Sequence, residues 1–246
     1  MIRSRRRTYG QHMLIEAPVV EHIINSVCFV GTESVCELGT GSGMLTKELC
    51  KRAKYVTSFE IDKILFEKAK ACLKPLFNLS LVNADPLKSR NLKFDVFVSN
   101  IPYSRSKPIM QWLSLQQFDR AIVMLQREFA EKIQSNVGEK SYRAISVVCQ
   151  YSFHLRNLFA VSKKSFYPMP LVESMVLQLV PKNTPRLTEP IIKNLNMIFS
   201  QRNRKVSVLN KKFRLNQIPL DTKIDHLDSD QLVNIAKSSL SYKEVH

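Results

Sequence analysis

Over its first two-thirds the chain alternates short apolar runs with amphipathic stretches. Apolar residues recur at helical spacing from Ala17 to Phe29. Ser34 to Leu38 has the composition of a strand and runs directly into Gly39-Thr40-Gly41-Ser42-Gly43. Met44 to Arg52 reads as the next helix, and Tyr55 to Glu60 as a second strand. Asp62 is placed to cap a helix that continues to about Cys72. Leu79 to Val82 is a third strand. Phe94 to Ser99 is a fourth, with the composition of a strand covered on both faces. Ala121 to Leu125 is a fifth, followed by a helix from Arg127 to Gln134. Two further strands are predicted, Phe153 to Val161 and Glu173 to Val180. Strands separated by helices predict an α/β fold with a parallel, doubly wound sheet, and the last two strands allow an antiparallel edge pair.

The pattern changes after Pro181. Only helical patterns follow, over Ile191 to Phe199, Val206 to Phe213 and Asp230 to Ser238, with Thr188 as an N-cap and Pro190 in the first turn. The expected division is a sheet domain over 1–181, preceded by a basic arm over 1–10, and a small all-helical domain over 182–246. The second is near the lower size limit for an independent domain. A length of 246 residues, 44% of them hydrophobic, is enough for one large domain with such an appendage.

Composition narrows the class. With 6 Gly and 11 Pro the chain is neither collagen-like nor of low complexity. Its longest apolar runs, such as Val96 to Val98 and Ala121 to Leu125, fall far short of the roughly 20 residues that cross a bilayer. Arg3, Arg5, Arg6 and Arg7 open the chain, but no apolar stretch follows before Tyr9-Gly10-Gln11-His12, so an unexported, cytoplasmic protein without a membrane partner is expected. Charge adds most. Lys and Arg total 37 against 21 Asp and Glu, a net of +16, and that excess calls for an anionic partner, nucleic acid before anionic membrane. The 5 cysteines include no CxxC pair, and the histidines form no HxxxH or HExxH pair, so no metal site is expected.

The chemistry sits at predicted strand ends. The GxGxG loop at Gly39, Gly41 and Gly43 allows a tight turn and close approach of a ligand to the backbone. Glu60 ends the next strand, where a carboxylate accepts ribose hydroxyls. Asn83-Ala84-Asp85 ends the third, where an acid can accept from an adenine amine. Together they point to an adenosine-containing cofactor. Asn100-Ile101-Pro102-Tyr103, directly after the fourth strand, is the decisive motif.

That motif resembles the signature of methyltransferases that act on planar amino groups. In the form NIPY it resembles the ribosomal RNA adenine dimethyltransferase family. Gly10-Gln11-His12-Met13-Leu14 is similar to that family's GQNFL opening, with His12 in the Asn place. The segment from Phe166 to Ser174 is similar to its FxPxPxVDS segment, with Glu173 for Asp, and the one from Phe199 to Lys205 to its FxxRRK helix. These four motifs stand in the family's order across about residues 7 to 214, and Ser104-Arg105 departs from the commonest family residues.

The resemblance implies a Rossmann-like methyltransferase sheet and S-adenosylmethionine as cofactor. It implies that Gln11, His12 and Leu14 close over the cofactor, that Gly39 and Gly41 approach its methionine part, that Glu60 (with Ile61 beside it) takes the ribose, and that Asp85 takes the adenine amine. Asn100 is then expected near the transferring methyl. The substrate implied is the N6 amine of adenines in small-subunit ribosomal RNA, or in the pre-assembled small subunit. Two neighbouring adenines near the RNA's 3′ end would become dimethylated by a monomeric enzyme.

The residue types fit that chemistry. An exocyclic adenine amine is a poor nucleophile because its lone pair is delocalised into the ring. The Asn100 side-chain oxygen and the Ile101 carbonyl can accept its two N–H groups, Pro102 stiffens the loop, Tyr103 can stack on the base and Phe166 can cover its other face. For RNA phosphates the candidates are Arg5, Arg6 and Arg7 of the arm and Arg202, Arg204 and Lys205, which lie in a stretch without acids from Ser200 to Asn216. The alternatives are an erythromycin-resistance-type methyltransferase of a large-subunit adenine, and a non-catalytic assembly or transcription factor on the same fold.

Overall fold

The computed structural model describes residues 12–89, 92–209, 213 and 219–238. Contacts divide the chain into two compact units. The first comprises residues 1–109, 116–130 and 155–181, the second residues 110–115, 131–154 and 182–246. The second unit is therefore not formed by the C-terminal segment alone, as a single boundary at 181/182 implied.

The elements are β1 (Met13–Leu14), α1 (Ala17–Val27), β2 (Ser34–Leu38), α2 (Met44–Arg52), β3 (Tyr55–Phe59), α3 (Lys63–Leu73), β4 (Leu79–Val82), β5 (Val96–Asn100), α4 (Ser106–Leu113), β6 (Arg120–Gln126), α5 (Arg127–Ile133), α6 (Ala144–Ser152), β7 (Phe153–Val161), β8 (Phe166–Tyr167), β9 (Ser174–Pro181), α7 (Glu189–Phe199) and α8 (Ser229–Ser238). Seven strands form one sheet in the order β4-β3-β2-β5-β6-β9-β7, and β1 pairs separately with β8. β4, β3, β2, β5 and β6 run parallel, and β9 is antiparallel to β6. From β2 the strand order runs outward to β4, then returns to β5 on the other side of β2. In such folds ligands bind at this reversal, beyond the carboxyl ends of the strands.

Local chemistry explains the elements. Residues 96–99 of β5 and 121–125 of β6 are wholly buried, as apolar central strands covered on both faces must be. α1 buries Val20, Ile23, Ile24 and Val27, and ends where Cys28 takes φ 56°. The Asp62 carboxylate caps α3, accepting the backbone N–H groups of Ile64 at 2.8 Å and Leu65 at 3.3 Å. Val27, Val35, Leu49, Val56, Val96 and Val98 lie at the centre of the sheet unit's core.

In the second unit α6, α7 and α8 pack on one another. Its core includes Tyr142, whose hydroxyl donates to the Leu227 carbonyl at 3.2 Å. The expected helix from Val206 to Phe213 is instead a single 3-10 turn over Val206–Leu209, with 210–212 outside the described residues. α4 and α6 are additional to the helices that the sequence pattern predicts. α6 is buried nearly all round, so it carries no polar face to mark its period. Among the described residues no helix is long and apolar enough to cross a membrane.

Candidate active site

The site lies in the first unit, at the carboxyl ends of β2, β3 and β5. The glycine loop leaves β2 with positive φ angles that L side chains rarely adopt. Gly41 has φ 56°, and its N–H donates to Glu60 Oε2 at 2.9 Å. Gly43 caps α2 at φ 81°, and a Cβ there would lie 3.1 Å from Leu73 Cδ1. Glu60, only 2% exposed, accepts the Asp62 N–H on Oε1 at 2.9 Å, while its carbonyl accepts from Asn83 Nδ2 at 2.7 Å. Burial pushes the Glu60 carboxyl up, against the N–H groups of Asp62 and Gly41. A carboxylate has about four acceptor sites, so these backbone donors leave room for another.

Glu37, near the carboxyl end of β2, received no role from the sequence. It is 1% exposed and lines the main cleft. Thr46 Oγ1 and Ser58 Oγ both donate to its Oε2 at 2.6 Å, and Ser58 in turn bonds to Thr40 Oγ1 at 2.6 Å. Oε1 is buried with no hydrogen-bond partner among the described residues. Burial raises the carboxyl to about 7, the two hydroxyls opposing the shift and the Glu60 charge adding to it. The available signal was an acid at a strand end, two residues before a glycine turn.

Asn100 ends β5, held by a segment distant in sequence. Its Nδ2 donates to the His12 carbonyl at 3.1 Å, which turns Oδ1 away from that bond. His12 leads into β1, whose Met13 and Leu14 pair with Tyr167 and Phe166 of β8, and His12 Nδ1 lies 2.7 Å from the Pro168 carbonyl. The His12 and Tyr103 rings are 5.0 Å apart. The Tyr103 hydroxyl is fixed to Ser174 Oγ at 2.7 Å, and burial raises it. The Ile101 N–H is taken by the Met124 carbonyl at 3.1 Å. These residues wall a cleft with His12, Leu14, Gly39, Gly41, Asn100, Ile101, Pro102, Tyr103 and both glutamates on its lining. Beside it a smaller cavity is lined by Gly39, Glu60 and Pro102 again, with Phe59, Ile61, Ala84, Pro86 and Arg105.

The structure departs from the sequence expectations at several residues. Phe166 is 2% exposed and belongs to the core with Leu14, not to the cleft wall. Strand alternation turns Phe166 inward and Tyr167, 64% exposed, outward. Asp85 lines neither cavity. Its Oδ1 accepts the Leu87 N–H at 3.1 Å and its Oδ2 pairs with Arg105 at 2.8 Å, so Arg105 is the member of the pair on the wall. Gln11, Arg5, Arg6 and Arg7 lie outside the described residues. In the second unit Arg202 donates to the Lys140 carbonyl at 3.0 Å and the Tyr142 carbonyl at 3.3 Å, and Lys205 pairs with Asp221 at 2.8 Å. Arg204 is exposed.

Comparison with known proteins places this geometry. The family model of ribosomal RNA adenine dimethylases matches residues 2–243. The chain is 32% identical to Ribosomal RNA small subunit methyltransferase A of Staphylococcus haemolyticus over 218 residues, 82% of this chain and 74% of that one. It is 35% identical to the protein of that name in Thermotoga petrophila over 200 residues, covering 81% and 77%. The crystal structure of a dimethyladenosine transferase from Plasmodium falciparum superposes with a TM-score of 0.77 at 25% identity, over 95% of this chain and 98% of that one. With a Rossmann-like sheet, a glycine loop and Asn-Ile-Pro-Tyr set at adjoining strand ends, the chain belongs to the ribosomal RNA adenine dimethylase family, whose members use S-adenosylmethionine.

Proposed function

We propose that this protein transfers methyl groups from S-adenosylmethionine to the N6 amine of adenines in small-subunit ribosomal RNA, dimethylating two adjacent adenines in a loop near the 3′ end. The observation that carries this reading is Asn100. Its amide is anchored through Nδ2 to the His12 carbonyl on the wall of a cleft with buried acceptors, which leaves Oδ1 to accept from a base.

The wall of the cleft fits the cofactor. Glu37 Oε1 is a buried acceptor without a partner among the described residues, and Glu60 has lone pairs to spare. S-adenosylmethionine offers matching donors, namely an ammonium and two ribose hydroxyls. In this reading Glu37 faces the ammonium, Gly39 and Gly41 leave room for the methionine part, Glu60 accepts from the ribose, Ile61 flanks the base and Asp85 reads its amine. When bound, the cofactor supplies an electrophilic methyl on sulfur.

The chain's own residues do the rest by positioning. Asn100 Oδ1 and the Ile101 carbonyl accept the two N–H groups of the target amine. That draws its lone pair out of conjugation and aims it along the transfer axis. Pro102 fixes the turn, and Tyr103, held by Ser174, supplies a flat face for the flipped base. The amine nitrogen gains the methyl and then loses a proton to solvent, so no dedicated base is needed. Alignment of this kind is worth an effective molarity of about 10⁵ M or more. A second round on the same nitrogen gives the dimethylated product.

The large-subunit reading finds less support, since both relatives named above are small-subunit methyltransferases. RNA contact is assigned first to Arg204 in the second unit, because Arg202 and Lys205 are engaged within it. Replacing Arg204 by Ala should flatten the slope of log affinity against log salt by about one unit, whereas Arg202→Ala should lower the melting temperature. We take the working form to be a cytoplasmic monomer. The direct test is incubation with labelled cofactor and unmodified small subunits, followed by mapping of the modified bases. Label confined to large-subunit RNA, or absent, overturns the reading.

A further inference from the structure

We propose that Arg105 is a positioning residue of the cofactor's adenine subsite, acting through its ion pair with Asp85 and as part of the subsite wall. This rests on the reading above, in which the smaller cavity takes the adenine and Asp85, set just behind the wall between the lining residues Ala84 and Pro86, takes its amine.

Three observations carry it. First, the Asp85 carboxylate is gripped at both ends, Oδ1 by the Leu87 N–H at 3.1 Å and Oδ2 by Arg105 Nη2 at 2.8 Å. A carboxylate held so cannot rotate, and each oxygen still keeps a lone pair for an amine. Second, the pair is largely shielded, with side-chain exposures of 23% for Arg105 and 17% for Asp85, so solvent screens it less than an ordinary surface pair. Third, Arg105 itself lines the small cavity, together with apolar Phe59 and Ile61. Its N–H is bonded to the Pro102 carbonyl at 2.8 Å, so it rides on the same turn that presents Pro102 to both cavities. A guanidinium there presents a planar, weakly hydrated face to a purine ring, which a lysine or an aliphatic side chain does not.

The chemistry predicts base selectivity. An adenine amine donates to a fixed carboxylate, whereas the 6-oxo group of a hypoxanthine presents a lone pair and is repelled. Freeing the carboxylate by removing Arg105 should erode that difference, beyond any general loss of affinity.

The experiment uses the full chain and two probes, S-adenosylhomocysteine and its 6-oxo analogue S-inosylhomocysteine, titrated by calorimetry. The proteins are wild type, Arg105→Ala, Arg105→Lys and Asp85→Asn, each checked by thermal melting. The expected result is that Arg105→Ala binds the adenosyl probe about tenfold more weakly, the scale of one charge-assisted hydrogen bond, while the inosyl probe changes less. Arg105→Lys should recover most of the preference, because it restores the ion pair. Asp85→Asn should lose the preference, since an amide can donate to the 6-oxo group. An Arg105→Ala variant that weakens both probes equally, weakens neither, or tightens the adenosyl probe overturns the role of Arg105. If Asp85→Asn still loses the preference in that case, the adenine reading of the cavity stands. A full preference in Asp85→Asn removes that reading, and the role of Arg105 falls with it.

Discussion

The two ends of β2 each hold a buried glutamate, and the two are treated in opposite ways. Glu33, just before the strand, is 5% exposed and fully engaged. Its Oε1 accepts from the Val30 N–H at 3.0 Å and Arg120 Nη2 at 2.6 Å, and its Oε2 from Gly31 at 2.9 Å and Val30 at 3.2 Å. Burial pushes the Glu33 carboxyl up, but these donors outweigh it and hold the group down at about 2. Glu37, four residues on, receives two hydroxyls on one oxygen and none on the other, and burial carries it to about 7. The amino end of the sheet spends its acid on folding. The carboxyl end leaves acceptors open, and open acceptors in a buried wall are what a ligand can use.

The comparison breaks if a change at the carboxyl end proves to be about folding. Asn100 is the sharpest case. Asn100→Ala should cut single-turnover methylation by about three orders of magnitude, because orientation of the amine is lost, while cofactor affinity stays within about tenfold and the melting temperature holds. Near-normal transfer would remove Asn100 from the mechanism.

The next largest effect belongs to the amino end. Arg120 also donates to the Val27 carbonyl at 2.8 Å, so Arg120→Leu removes the side-chain donor of that carbonyl and the counter-charge of Glu33. A cost of about 2–4 kcal/mol in stability is expected, with cofactor affinity unchanged wherever the variant is folded. Denaturant titration checks the first part and calorimetry the second. A smaller loss is expected at Glu60, where Glu60→Ala should weaken S-adenosylmethionine binding by about 1.5–3 kcal/mol through loss of the ribose acceptor. Unchanged affinity in a folded variant would sink that assignment.

The contrast between the two ends was only partly legible in the sequence. Strand order could be read because β5 and β6 carry uninterrupted apolar runs, Val96 to Val98 and Ala121 to Leu125, with turn residues between the strands. The glycine loop, Glu60 and Asn100 could be read because their chemistry is confined to a few adjacent residues. What escaped depends on contacts between distant segments. The His12 carbonyl that orients Asn100 is 88 residues away, and the inward turn of Phe166 follows from its pairing with Leu14. The Arg105 pairing with Asp85 depends on a turn whose path no local pattern gives. α6 leaves little trace in the sequence because a helix buried on nearly all sides has no clear amphipathic period to detect. Glu33 and Glu37 look alike in sequence, and only their partners distinguish them.

Those partners give the two glutamates opposite pH signatures. Glu37 has a raised carboxyl, so over pH 4.5 to 7 the folded state holds a proton that the unfolded chain has released. Stability attributable to Glu37 is greatest below that window and falls as pH rises through it. Glu33 has a lowered carboxyl, so its contribution is present above the ordinary carboxylate range and is lost as pH falls toward 2. Glu37→Gln removes the first titration and keeps the shape, since the amide oxygen can still accept from Thr46 and Ser58. The stability of the wild type relative to Glu37→Gln should therefore decline steadily between pH 4.5 and 7, and stay level above it. Denaturant titrations across that range measure the difference. A ligand with an ammonium group beside Oε1 would hold Glu37 ionised, so saturating S-adenosylhomocysteine should flatten the decline. If the decline persists unaltered with ligand bound, Glu37 is buried for packing alone and the carboxyl end loses one of its open acceptors.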